Sequence, residues 1–310
     1  MNTPRSSLRS LARAALWALG AAALAVGSSA AAPKLASAEP ATMPGASGQA
    51  AAPAPAPRPA PSNRQGEAYT FSLRFLGSVD AGRARLAIAP PQKRGADTVI
   101  HVVGEGEAVG FAKALTGLHE DYRLVLDAGT LLPRHMQFNE TGMRTRTATL
   151  TMTGKKIDIT VKRPDSERRV IATMPSEPVE PVAVLLMLRA ARLKDGDKLD
   201  LTFIDGAAFY QGTIEVVGRE EIRTAIGARA AIKLACRGER INEFGQKVPN
   251  RPVRQGTVWV SDDAERLPLR IEGESELGRA EFALTSYDLG RRPLPLPKKL
   301  VGVTEHQAAD

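Results

Sequence analysis

From residue 67 onward, apolar side chains recur at every second position through most of the chain. Tyr69, Phe71, Leu73 and Phe75 alternate with Thr70, Ser72 and Arg74. Tyr122, Leu124 and Leu126 continue the pattern, as do Ile157, Ile159 and Val161, then Leu199, Leu201 and Phe203. Ala230, Ile232, Leu234 and Cys236, then Leu267, Leu269 and Ile271, then Ala280, Phe282 and Leu284 complete it. A period of two is what a strand with one buried and one wet face requires. Turn signals stand close together: Gly77-Ser78-Val79-Asp80, Thr153-Gly154-Lys155, Asp205-Gly206, Gly218 and Leu277-Gly278. Such short connections predict antiparallel hairpins. A dozen or so strands are too many for a flat sheet, so the expected fold is mainly β: a strongly curved antiparallel sheet or open barrel.

One segment breaks the alternation. Pro181 suits a first helical turn, Glu177 and Glu180 complement its dipole, and Lys194-Asp195-Gly196 closes it. Val182, Val184, Leu185, Leu186, Met187 and Leu188 make it apolar nearly all round, which predicts a buried helix in the concavity of the sheet. A second, weaker helix is predicted from Val109 to Leu118.

The N-terminal residues carry an address. Arg5, Arg9 and Arg13 precede an apolar run from Ala14 to Val26, and Ala30-Ala31-Ala32 and Ala36-Ser37-Ala38 are A-x-A cleavage sites. These features predict a secretory signal peptide over residues 1–38, placing the mature protein in the periplasm. The alternative is an uncleaved leader tethering the chain to the inner membrane, although a span takes about 20 apolar residues. Residues 39–66, rich in Ala and Pro, form an expected disordered linker. The predicted β-rich domain covers 67–292, with a disordered tail at 293–310.

The leader's Arg5, Arg9, Arg13 and Lys34 supply half of the formal net charge of +8. The other basic residues are interspersed, so no nucleic-acid partner is expected. Cys236 is the only cysteine, which excludes an intramolecular disulfide, and its place in an alternating run predicts a small buried side chain.

Candidate chemistry is thin. Gly104-Glu-Gly106-Glu-Ala-Val-Gly110 looks like a dinucleotide loop, but its spacing departs from the motif and Glu105 and Glu107 would repel a pyrophosphate. No nucleotide or other cofactor is expected. His101, His119, His135 and His306 make no zinc spacing, and no nucleophile elbow or S-x-x-K motif occurs. Carboxylates pair at Asp262-Asp263, Glu220-Glu221 and Glu272, Glu274, Glu276. A cell-wall or polysaccharide hydrolase using such pairs is the enzymatic alternative, but turns and an exposed strand face are the plainer setting for them. His119-Glu120-Asp121 is read as a polar loop leading into Tyr122.

Three blocks resemble the DUF3108 family of exported bacterial proteins: residues 185–206, residues 216–236 with Gly218, Glu220 and Gly227, and residues 257–284 with Trp259, Ser261, Asp263, Arg266 and Pro268. The Tyr69–Gly82 segment fits as well. The family has no agreed activity. The resemblance implies a curved sheet around a helix, similar to the lipoprotein-carrier (LolA/LolB-like) architecture, whose cavity holds acyl chains. The expected function is therefore a non-enzymatic periplasmic envelope protein binding an apolar or lipid ligand between sheet and helix. The expected lining is Leu185, Leu186, Met187, Phe209, Tyr210 and Trp259. A filled core serving as a structural or protein-interaction module, with an envelope protein as partner, is the other non-enzymatic reading.

Overall fold

The computed structural model describes residues 66–75, 79–142, 145–275 and 278–290. The leader, the tail, the linker up to residue 65 and the turns expected at Gly77-Ser78 and Leu277 lie outside the described residues. Strands β1 (Glu67–Phe75), β2 (Val79–Ile88), β3 (Gln92–Arg94) and β4 (Asp97–Ala108) lead into helix α1 (Gly110–Thr116). Then follow β5 (His119–Asp127), β6 (Pro133–Thr141), β7 (Arg146–Thr153), β8 (Lys156–Arg163) and β9 (Ser166–Thr173). The two-residue β10 (Pro178–Val179) precedes helix α2 (Pro181–Ala190). The chain closes with β11 (Lys198–Asp205), β12 (Ala208–Thr224), β13 (Gly227–Ile241), β14 (Arg254–Ser261), β15 (Pro268–Ser275) and β16 (Gly278–Asp288).

All strands belong to one curved, unclosed sheet, ordered β10-β11-β12-β13-β14-β15-β16-β1-β2-β4-β5-β6-β7-β8-β9, with β3 beside β4. Its two edges, β9 and β10, follow one another in the chain. The β13–β14 loop reaches the end of β9, where Thr173 N–H donates to the Glu243 carbonyl at 2.9 Å. Every pairing is antiparallel except β10 with β11. The exception arises because α2 connects those two strands, and a helical crossover returns the chain in the same direction.

One parity of side chains runs unbroken around the inner wall. Phe71 stands opposite Ala84 and Leu284, and Leu73 opposite Gly82 and Phe282. The inner face continues through Val102, Leu124, Met136, Leu150 and Ile159 one way, and through Ile271, Val258 and Leu234 the other. Bulges after Thr70, Leu73, Val125, Val216 and Trp259 add local twist to this wall. Close approach demands glycine at position 212, where a Cβ would lie 2.5 Å from the Phe203 ring.

Several local expectations are corrected. Gly218 is not a turn: it takes a φ of +149° at the bulge inside the 17-residue strand β12. Glu220 and Glu221 accordingly lie in that strand. His119 and Glu120 already belong to β5, and Glu120 is buried on the inner parity. Glu272 is buried rather than exposed, held by Arg279 and Arg270. The second helix forms as α1, inside the predicted limits.

Candidate functional site

Helix α2 starts where Glu180, in extended conformation, turns its carboxylate back to accept the N–H of Val182 at 2.7 Å and of Ala183 at 3.4 Å. Glu180 is thus an N-cap as well as a favourable charge at the dipole. The helix stops at Ala190, a turn before the expected Lys194-Asp195-Gly196 signal, because Asp197 Oδ2 accepts the Lys194 N–H at 2.7 Å and organises a turn there instead. Val182, Ala183, Val184, Leu185 and Leu188 are buried in the core.

Polar side chains of the inner wall hold both ends of α2. Near its start, the Glu180 carboxylate faces the Tyr122 hydroxyl, with Asp205 also close by. Burial is the main cause that raises the Glu180 pKa to about 7; the Tyr122 hydroxyl and the Val182 and Ala183 amides oppose it, and Asp205 adds to it. Burial and the same carboxylate push Tyr122 well above its ordinary value. Asp205 lies 3.7 Å from Arg254, whose guanidinium stacks 4.7 Å over the Tyr210 ring. Close by on β6 and β7, Arg146 Nε donates to Glu140 at 2.6 Å while its guanidinium covers Phe138, the cross-strand partner of Tyr122. At the far end of the helix, Arg189 forks onto both oxygens of Glu67, which also accepts from the Tyr69 hydroxyl.

The six expected lining residues divide. Leu185 is buried, while Leu186 and Met187 are part-buried on α2. Tyr210 shares the inner parity with Gly212, Ile214 and Val216. Its neighbour Phe209 points the other way, buried opposite Ile204 and Ile241. Trp259 pairs with Lys233 and Arg270, on the face opposite to Val258 and Val260. Its ring lies beneath those two cations, at 5.5 and 5.7 Å, and its Nε1 donates to Glu220 at 2.6 Å. Leu185, Leu186, Met187 and Tyr210 therefore share the concave side; Phe209 and Trp259 do not.

The paired carboxylates have structural partners. The indole hydrogen bond, then Lys233, holds the Glu220 carboxyl below its usual range. Asp263 Oδ1 accepts from Ser261 Oγ and from the N–H groups of Glu265 and Arg266, shaping the β14–β15 turn, where Arg266 takes a φ of +49°. Ser261 Oγ in turn accepts from Leu267 N–H. The Ser261, Asp263 and Arg266 pattern is thus a turn-building device. Cys236 is buried, and burial pushes its thiol up to about 12. Among the described residues, no group of three or more His, Cys, Asp or Glu is placed to hold a metal ion. None of the described helices is long and apolar enough to cross a membrane.

Sequence reasoning missed the inner polar residues. The available signal was a charged group on an apolar parity: Glu67 two before Tyr69, Glu120 two before Tyr122, and Arg189 within an apolar helix.

A family model described as a protein of unknown function, DUF3108, matches residues 69–285. No curated protein matches. Among solved structures, a β-barrel-like protein of the domain of unknown function DUF1849 from Brucella abortus aligns at 8% identity, covering 74% of this chain and 100% of its own, with a TM-score of 0.45. The lipoprotein LppX from Mycobacterium tuberculosis aligns at 10% identity, covering 74% of this chain and 89% of its own, with a TM-score of 0.18.

Proposed function

We propose, from the premise that this chain belongs to the DUF3108 family, that it is a non-enzymatic protein of the periplasm that takes an apolar ligand, such as an acyl chain, between sheet and helix. The observation that supports this reading is the margin built by β10, α2 and β11. Because β10 pairs only with Thr202 and Phe203, the start of β11 has no strand on its outer side, and the inner-parity Leu199 is 41% exposed. Leu186, Met187 and Leu193 of the same unit are part-buried hydrophobics. Apolar side chains left part-open beside an apolar interior are what an acyl chain would cover. Leu185 and Tyr210 lie deeper on the same concave side.

A second reading rests on a different observation. Phe71, Leu126, Leu150, Ile157, Ile232 and Leu284 each have 0% exposure. An inner wall so closely packed suits a structural or protein-interaction module whose core its own helix fills. Native mass spectrometry of the protein purified from its own host separates the two. The carrier reading predicts a co-purifying acyl species, displacement of a bound fluorescent fatty acid, and loss of both in Met187→Glu. Neither co-purification nor displacement would overturn carriage and leave the filled module.

A further inference from the structure

Three exposed large apolar side chains lie on α1 and on the end of β2 beside it. Phe111 is 73% exposed, Val79 50% and Leu115 38%. Phe111 and Leu115 are four apart on α1 and so share one helix face. Their exposure is built in, because α1 is held at both ends. Val109 N–H donates to the Ala81 carbonyl at 3.0 Å, two residues along β2 from Val79. At the other end Gly117 closes the helix in left-handed conformation, and Gly142 of the β6–β7 turn packs against Thr116 so closely that a Cβ there would meet the Thr116 carbonyl at 2.5 Å.

We propose that this knuckle is a lipid-surface contact, in which Phe111, flanked by Leu115 and Val79, inserts into the interfacial layer of an anionic bilayer. The size of the patch favours lipid over protein. A single aromatic side chain buries about 150–250 Å², and with one Leu and one Val it falls well short of the ~800 Å² per partner that a stable protein interface takes. Interfacial anchoring sets no such threshold: it scales with inserted apolar area plus attraction to anionic headgroups. The charges agree. Lys113 is the only charged residue of α1, and it is exposed. The nearest strand carboxylates face cations of their own: Asp80 bonds Arg74 at 3.2 Å, and Glu107 stands cross-strand from Arg83. Exposed Gly110 and Ala114 set no bulk between the helix and a surface.

The knuckle is also placed to reach a surface. Val79 pairs with Phe75, at the end of β1 away from Glu67. Ala68, at the Glu67 end, pairs with Asp288 of β16. Both flanking segments therefore join the shell at the opposite end of β1, about 25 Å away at 3.3 Å per residue.

The test is Phe111→Trp in the mature chain, without the expected leader 1–38, its emission read as a difference from the parent to remove Trp259. Phosphatidylglycerol vesicles should shift that emission to shorter wavelength and brominated acyl chains should quench it, both more strongly than with phosphatidylcholine. Phe111→Ser combined with Leu115→Ser should lower vesicle partitioning at least about tenfold, the loss expected for one large apolar side chain. An emission unchanged by vesicles would overturn the proposal, as would unaltered partitioning of the double variant. A shift that grows with protein concentration without lipid would also overturn it, by assigning the knuckle to self-association.

Discussion

Glu180 joins several demands in one side chain: it caps α2, faces Tyr122 and is buried. Its folded pKa of about 7 stands above the ordinary 4.5, so between those values the folded protein holds a proton that the unfolded chain releases. Its contribution to stability is therefore full below about pH 4.5, declines as pH rises to about 7 and stays low above that. At 1.36 kcal/mol per unit, the decline amounts to roughly 3 kcal/mol. His101 and His135, lowered by burial, slope the opposite way in the acid range, so the parent must be compared with Glu180→Gln. Denaturant melts across that range should show the variant gaining on the parent as pH rises. A constant difference would contradict the account. The sequence exposed Glu180 as a helix-start charge but hid its burial, since the wall that surrounds it comes from β5 and β11, far along the chain. Trp259 shows the same limit: its ring is apolar, yet its parity and its two flanking cations set it on the convex face.

Among the elements, α2 was the most legible, because outside the leader no other segment is apolar through seven consecutive positions, as Val182–Leu188 is. Its C-terminal end was not, because an Asp197 side chain three residues past Lys194 competes with the helix. The Arg189–Glu67 contact, joining residues 122 apart, had no local signature beyond a cation on an apolar helix. Both partners are about a tenth exposed. Removing one leaves a buried charge without its counter-ion, a change that typically costs about 3–5 kcal/mol. Arg189→Met should therefore lose stability of that order, and adding Glu67→Gln should recover much of it because the remaining group is neutral. A loss in the double variant equal to the sum of the two single losses, measured by denaturant unfolding, would show that the pair does not couple. The turn residues Ser261, Asp263 and Arg266 were legible as a pattern but not as a purpose; only the hydrogen bonds show that they fold a hairpin.

At the scale of the whole molecule, the alternation announced a curved antiparallel sheet, and the structure has one. What alternation could not announce is where the wall ends. The sheet ends at β9 and β10, successive in the chain, because β10 pairs with β11 beyond α2 and not with β9, a consequence of tertiary order rather than of any local signal. The central claim is that this wall encloses α2. Hydrogen exchange of its backbone amides tests that most directly. Val184 N–H donates to Glu180 and Ala191 N–H to Met187, and enclosure predicts that the amides from 184 to 191 exchange as slowly as those of β1 and β16, opening only with the global unfolding of the shell. Exchange of α2 as fast as that of the surface helix α1 would place it outside the wall and contradict the account.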